Sequence, residues 1–333
     1  TIAVSQVNLT RYSLLFASLG TLAALALIVA TVSGSAHLSI ADSLAALAGG
    51  ADATARELVL NLRLPRALTA FGVGGMLAVA GVLMQVLLRN PLAEPYILGS
   101  SGGAAVFALL AIMLGFSSFA VDTAAFSGAL VATLIVFWVA HGTGSWTPTR
   151  LLLTGIVLAS GFGAATTLLL ALSPDQHLRG MLFWLMGDLS FAYEPLQSLV
   201  LLFVIVGISL TFGRHLNVLA HGELQAAVVG LPVRELRYGI FVLASLATAI
   251  SVTTVGVIGF IGLVVPHLIR LLVGSDHRIV IPAAALGGGT LLVIADTLAR
   301  TLLAPRQLPV GALTAAIGVP LFLMLMAKTP RYR

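Results

Sequence analysis

Residues 63–105 read RLPRALTAFGVGGMLAVAGVLMQVLLRNPLAEPYILGSSGGAA. Arg63 and Arg66 stand on either side of a Leu-Pro pair, and from Ala67 to Leu88 the chain then carries no charge. A helix needs about 20 apolar residues to cross a bilayer, and this run is long enough. Arg89-Asn90-Pro91 ends it, because proline clashes with the preceding turn and lacks the amide hydrogen that would extend the helix. A second apolar run opens near Pro95, so the stretch reads as two membrane spans joined by a short polar elbow.

The composition of the whole chain agrees. Its 333 residues are 59% hydrophobic and 9% charged, with a mean hydropathy of +1.08. A soluble domain carries about 25% charged residues, so the solvent of this chain is lipid. Backbone groups inside lipid must be satisfied within the segment, which makes each span a helix. Ten spans are expected, over 13–33, 64–88, 95–115, 122–141, 150–172, 195–213, 236–255, 257–273, 280–300 and 309–327, with an amphipathic piece near 176–187. The fold class is therefore all-α and polytopic, with residues 1–333 forming one transmembrane domain. The apolar run from Ser13 to Val32 reads as the first membrane helix and not as a signal peptide, since no clear cleavage site opens a soluble domain after it.

The net charge of +5 reads first as topology and gives no reason to invoke nucleic acid. Arg11, Arg89, Arg150, Arg214, Arg234, Arg237, Arg270, Arg278, Lys328, Arg331 and Arg333 fall on the side of the N-terminus. Arg56, Arg63, Arg66, Arg179, Arg300 and Arg306 fall on the other. The excess of basic residues marks the cytoplasmic face, so both termini are expected there.

Several classes of function are disfavoured. There is no cysteine, hence no disulfide and no thiolate site. The GxxG repeat at 256–262 lacks the Gly-Lys-Ser/Thr ending of a phosphate loop, and Lys328 is the only lysine in the chain, so this chain does not itself hydrolyse ATP. The seven histidines form no spaced ligand set or base–nucleophile pair, which argues against a membrane enzyme; His267, at a helix end, reads as structural. Few ionisable groups lie deep in a span, whereas a stand-alone secondary transporter usually needs them. The nearest, Asp188 and Asp296, sit at the outer ends of apolar segments. A lumen of this kind suits a large cargo driven by an external energy source. The longest polar interruption on the cytoplasmic side, Arg214 to Tyr238, reads as two short helices joined by a turn. Its apolar positions Leu216, Leu219, Leu224, Ala227 and Val228 form an amphipathic face of the kind that docks in a groove.

These residues carry a family resemblance. Arg63-Leu64-Pro65-Arg66, Met84-Gln85, Asn90-Pro91-Leu92-Ala93-Glu94-Pro95, Gly222-Glu223, Gly230-Leu231-Pro232, the run from Gly259 to His267, Asp276-His277-Arg278, Ala295-Asp296 and Leu308-Pro309-Val310-Gly311 occur in order along nearly the whole chain. Together they resemble the permease subunits of ABC importers for haem, iron chelates and vitamin B12. The resemblance implies ten helices per subunit, a homodimer with a central pathway, two ATP-binding cassette subunits below and a periplasmic binding protein above, in the bacterial inner membrane. No spaced His/Asp/Glu cluster marks a metal site, and no resident cofactor is expected. The resemblance places Arg63, Arg66 and Arg300 at the outer mouth as docking arginines, while Arg306 has no counterpart. It places cytoplasmic gates at Asn90 and Leu92 and at Pro148 and Thr149; where the family's vitamin B12 permease has two hydroxyl residues, this chain has Pro148 in the first position, which puts hydrogen-bonded closure there in question. It assigns contact with the ATPase to Glu223, Ala226, Ala227, Gly230 and Leu231. The cargo stays open between haem, a ferric siderophore and cobalamin, with haem first.

Overall fold

A computed structural model describes residues 2–34, 38–50, 52–141, 147–190, 192 and 194–328. Arg331 and Arg333, used above, lie outside the described residues. The helices in chain order are α1 (Ile2–Val32), α2 (Ile40–Leu47), α3 (Ala53–Arg56), α4 (Leu64–Leu87), α5 (Ser100–Met113), α6 (Ser118–His141), α7 (Pro148–Leu172) and α8 (Asp175–Met186). They continue as α9 (Pro195–Thr211), α10 (Gly213–Ala220), α11 (Glu223–Val228), α12 (Val233–Val255), α13 (Ile261–Val273), α14 (His277–Thr301) and α15 (Val310–Lys328).

Each expected span has a helix. Among the described residues six helices are long and apolar enough to cross a membrane, α9 and α10 make a further candidate bent by 60°, and α5, α13 and α15 are shorter apolar helices. The segment between α1 and α4, which lies outside the expected spans, is itself largely helical. Ser39 caps α2 by accepting from the Asp42 amide at 3.0 Å, and Asp52 caps α3 by accepting from the Ala55 amide at 2.8 Å. A π-helical turn, Glu57–Arg63, then joins α3 to α4, so this rod runs from Ala53 to Leu87.

Two spans are shorter than their apolar runs. Pro95–Leu98 forms a 3-10 turn, and Gly99 at φ +73° separates it from α5. Gly256, also at φ +73°, ends α12, and Phe260 adopts a left-handed φ of +71° before α13 begins. At 1.5 Å per residue α5 and α13 are each about 20 Å long, short of the ~30 Å hydrocarbon core.

The core is built around α4, whose span is 89% buried, against 6% for α7. It packs on α14, α12, α9 and α13. Its stripe of small residues lets backbones meet: a Cβ on Gly74 would collide with the Gly288 carbonyl of α14, and one on Gly81 with the backbone of Gly262 in α13. Close backbone approach of this kind drives association where lipid removes the hydrophobic incentive.

Candidate functional site

The α3-side end of α4 gathers the three arginines expected at the mouth, but turns them inward. Arg66 donates to both oxygens of Asp296 in α14, with Nη2 at 2.7 Å from Oδ1 and Nε at 3.1 Å from Oδ2. Arg300, one turn along α14, places Nε 3.0 Å from Asp296 Oδ2. Arg300 also donates to the carbonyls of Ser33 and Ala30, and Arg63 Nη1 donates to that of Val32 at 2.7 Å. The last turn of α1 has no basic residue of its own, so guanidinium groups from α4 and α14 satisfy its orphan carbonyls. Arg63 is 6% exposed, Arg300 4% and Asp296 1%. Arg63 and Arg300 are thus buried and Arg66 is part-buried, with Asp296 as an internal counter-charge to Arg66 and Arg300. Of the three, Arg66 has an outward edge, its Nη1 making long 3.4 Å contacts to Ser190 Oγ and Gln307 Oε1.

At the opposite end of α4 the Asn-Pro elbow forms as a tight turn. Asn90 Oδ1 accepts from the Leu92 amide at 2.9 Å, and Leu92 itself is exposed. The preceding residue, Arg89, holds φ at +48°. Glu94, given no role of its own in the sequence reading, reaches the break between α12 and α13, where Oε1 accepts from the Phe260 amide at 2.7 Å. Tyr96 Oη accepts from the Ile258 amide at 3.3 Å, and Gln85 Nε2 donates to the carbonyls of Ala93 and Gly262 at 3.3 Å. Arg270 of α13 donates to Gln85 Oε1. Four side chains thus join the elbow to the broken span. Glu94→Ala leaves the Phe260 amide unpaired and is expected to cost about 1–3 kcal/mol, readable as a lower unfolding midpoint in detergent; an unchanged midpoint would remove Glu94 from this role.

The second expected gate sits at the start of α7. Pro148 is its first residue, a position where the missing amide hydrogen costs nothing. The hydroxyl that caps the helix is that of Thr147, which accepts from the Arg150 amide at 3.2 Å, while Thr149 is exposed and makes no cap. Further along, α7 packs on the Pro95–Leu98 turn, with Gly155 against the Ile97 carbonyl.

The segment 214–238 folds as two short helices around a turn at Gly222, whose φ of +133° suits glycine. Its apolar face is divided differently from the expectation. Leu216, Leu219 and Ala226 are buried, whereas Leu224 is 84% and Val228 86% exposed. Ala226, expected as a contact with the ATPase, packs inward in this chain. Ala227 and Gly230 are exposed and Leu231 is half-buried. Glu223 is held within the chain, with Oε2 2.8 Å from Arg237 Nη1 of α12 and Oε1 3.7 Å from Arg89 Nη2. The first residue of α11 is thereby ion-paired to the residue preceding Asn90. Behind it, Asn217 of α10 donates to Asp276 Oδ1 at 2.8 Å and accepts from the His277 amide. The Arg278 guanidinium beside Asp276 holds that carboxyl well below the usual carboxylate range.

Among the described residues no three or more His, Asp or Glu are grouped to hold a metal ion. His267 lies edge-on to the Phe322 ring at 6.4 Å. What the arrangement offers is mechanical: a rigid α4–α14 frame, clamped at one end by Asp296 and tied at the other to an exposed apolar helix.

Residues 22–328 match the model of the FecCD transport family. The hemin transport system permease HmuU of Yersinia pestis is 44% identical over 284 residues, spanning 82% of this chain and 84% of that protein. The cobalamin import permease BtuC of Halobacterium salinarum is 41% identical over 280 residues, spanning 83% and 75%. A solved metal-chelate type ABC transporter in an inward-facing conformation superposes with a TM-score of 0.83 at 31% identity, covering 96% of this chain and all of that one. PsaBC from Streptococcus pneumoniae shares the fold, with a TM-score of 0.56 at 19% identity over 81% of this chain.

Proposed function

The chain belongs to the FecCD transport family, and from that premise we propose that it is the permease of an ATP-driven importer whose cargo is haem. The same permease family serves cobalamin and ferric chelates; haem is favoured because the hemin permease is 44% identical and the cobalamin permease 41%. In this reading residues 1–333 act as one domain and pair with a second copy. Two ATP-binding cassette subunits dock on the face that carries α11, and a binding protein delivers cargo at the face that carries Arg66, from periplasm to cytoplasm.

The observation that carries the mechanism is the continuity from α11 to the elbow. Leu224 and Val228 present apolar surface that water disfavours and a groove in a partner would cover. Glu223, at the start of the same helix, pairs with Arg89 and Arg237. Displacing α11 therefore pulls on the residue next to Asn90, and through Glu94 and Gln85 on the start of α13. ATP acts by its differential affinity for the two states of the partner subunits. Arg66, with its outward edge, is the docking contact for an acidic binding protein, while Arg63 and Arg300 fix the helix ends beneath it. The elbow at Asn90 and Leu92 and the α7 start at Pro148 and Thr149 form the gate. Glu223, Ala227, Gly230 and Leu231 belong to the coupling segment.

The test is uptake and ATPase activity in proteoliposomes with the cognate cassette subunits and a binding protein loaded with haem, a ferric siderophore or cobalamin. Stimulation by haem supports the reading, and stimulation by another cargo reassigns the substrate. Uptake by this chain alone would overturn the importer mechanism in favour of a secondary transporter. Leu224→Asp together with Val228→Asp is expected to abolish co-purification of the cassette subunits while leaving the permease folded; undiminished co-purification would move the docking face elsewhere.

A further inference from the structure

A cavity of about 470 Å³ lies among the ends of α5, α6, α8 and α12, away from the α4 frame. That size is in the range of small-molecule sites. Its walls are the rings of Phe116, Phe183 and Trp184, and Asp122 contributes a carboxyl group at the exposed rim. Two polar atoms of the lining are buried without a hydrogen-bond partner, His177 Nδ1 and Thr253 Oγ1. The His177 Nε2 faces Gln176 at 3.4 Å, which leaves Nδ1 for an occupant of the cavity. Among the described residues no cation is paired with Asp122, and no metal-ligand grouping occurs.

We infer that this cavity binds a primary ammonium group on an organic molecule. Aromatic faces attract a desolvated cation through their quadrupoles. The Phe183 ring already takes part in one such contact, with the Arg179 guanidinium 5.7 Å from its centroid. A primary ammonium has three N–H donors and no acceptor. The Asp122 carboxylate and the Thr253 hydroxyl supply acceptors for two of them. The orphaned His177 nitrogen, donor or acceptor by tautomer, is placed for the third or for an oxygen of the same molecule. Water could pair with the polar groups of this lining, but it gains nothing from the three aromatic rings, whereas an ammonium engages both. A quaternary ammonium would leave Thr253 and His177 as unpaired as they are in the empty cavity. The ammonium belongs either to a free amine or to an ethanolamine lipid headgroup, which present the same chemistry.

The test uses the full chain in nanodiscs of phosphatidylcholine and phosphatidylglycerol, titrated with hexylamine while the emission of Trp184 is followed. A saturable change is expected, absent in Trp184→Phe. It weakens about tenfold in Asp122→Asn, as loss of a charge-assisted hydrogen bond requires, and weakens also in Thr253→Val. Tetramethylammonium should not displace the amine. No saturable response, an unchanged Asp122→Asn, or equal competition by tetramethylammonium would each overturn the assignment. Repeating the titration with phosphatidylethanolamine present separates the sources: a lost response identifies the headgroup as occupant, and a retained one identifies a free amine.

Discussion

Asp296→Ala is expected to lower the stability of the permease by about 3–5 kcal/mol, since it strands the buried Arg300 and the part-buried Arg66, which among the described residues pair with no other carboxylate. Arg66 and Arg300 both point at this one carboxylate, which is 1% exposed. Removing it leaves Arg300 inside the protein among carbonyls of α1, able to hydrogen-bond but not to neutralise. Unfolding in mixed micelles would read the loss. A triple replacement, Arg66→Met, Asp296→Leu and Arg300→Met, should recover most of it, because an apolar trio of similar volume incurs no desolvation of charge. A single variant within about 1 kcal/mol of the parent would show that the cluster is solvated and contributes only as a surface pair does.

Gly81→Val is expected to be still more disruptive. The first added carbon would overlap the backbone of Gly262, and a backbone cannot rotate away as a side chain can. Overpacking typically costs about 1–3 kcal/mol, and more where nothing yields. Here α13 would have to leave α4, which would also part Gln85 from the Gly262 carbonyl. The expected result is loss of the monodisperse protein on size-exclusion chromatography. Gly20→Val is the control, since nothing lies within 4 Å of its would-be Cβ. Equal behaviour of the two variants would refute the close approach of α4 and α13.

The spans were legible in the sequence because hydropathy reports directly on the medium, and every apolar run of sufficient length became a helix. Its limits show at Gly99 and Gly256. Apolarity says nothing of φ, so 95–115 and 257–273 read as unbroken while the chain turns left-handed inside each. In 214–238 two short helices and a turn were expected, but the apolar positions on either side of Gly222 were grouped as one face. The turn there resets the helical phase, which is why Ala226 points inward and Leu224 outward. The arginines were found by motif, but their burial was not, since the carboxylate that makes it tolerable to Arg66 lies 230 residues away. Glu94 was missed for the same reason: its partner is the Phe260 amide, 166 residues along the chain. Ser39 and Asp52 were signals that could have revealed α2 and α3, each a capping side chain followed by a helical turn.

The contrast between α4, 89% buried, and α7, 6% buried, also governs how freely each stretch can drift over evolutionary time. Most substitutions along α4 would meet a backbone or a packed side chain, so that helix must keep its small residues while lineages diverge. Along α7 a change of side chain alters what the subunit offers to lipid or to another protein without disturbing the frame. A chain built this way can acquire new surroundings by rewriting one helix while leaving the other as it is.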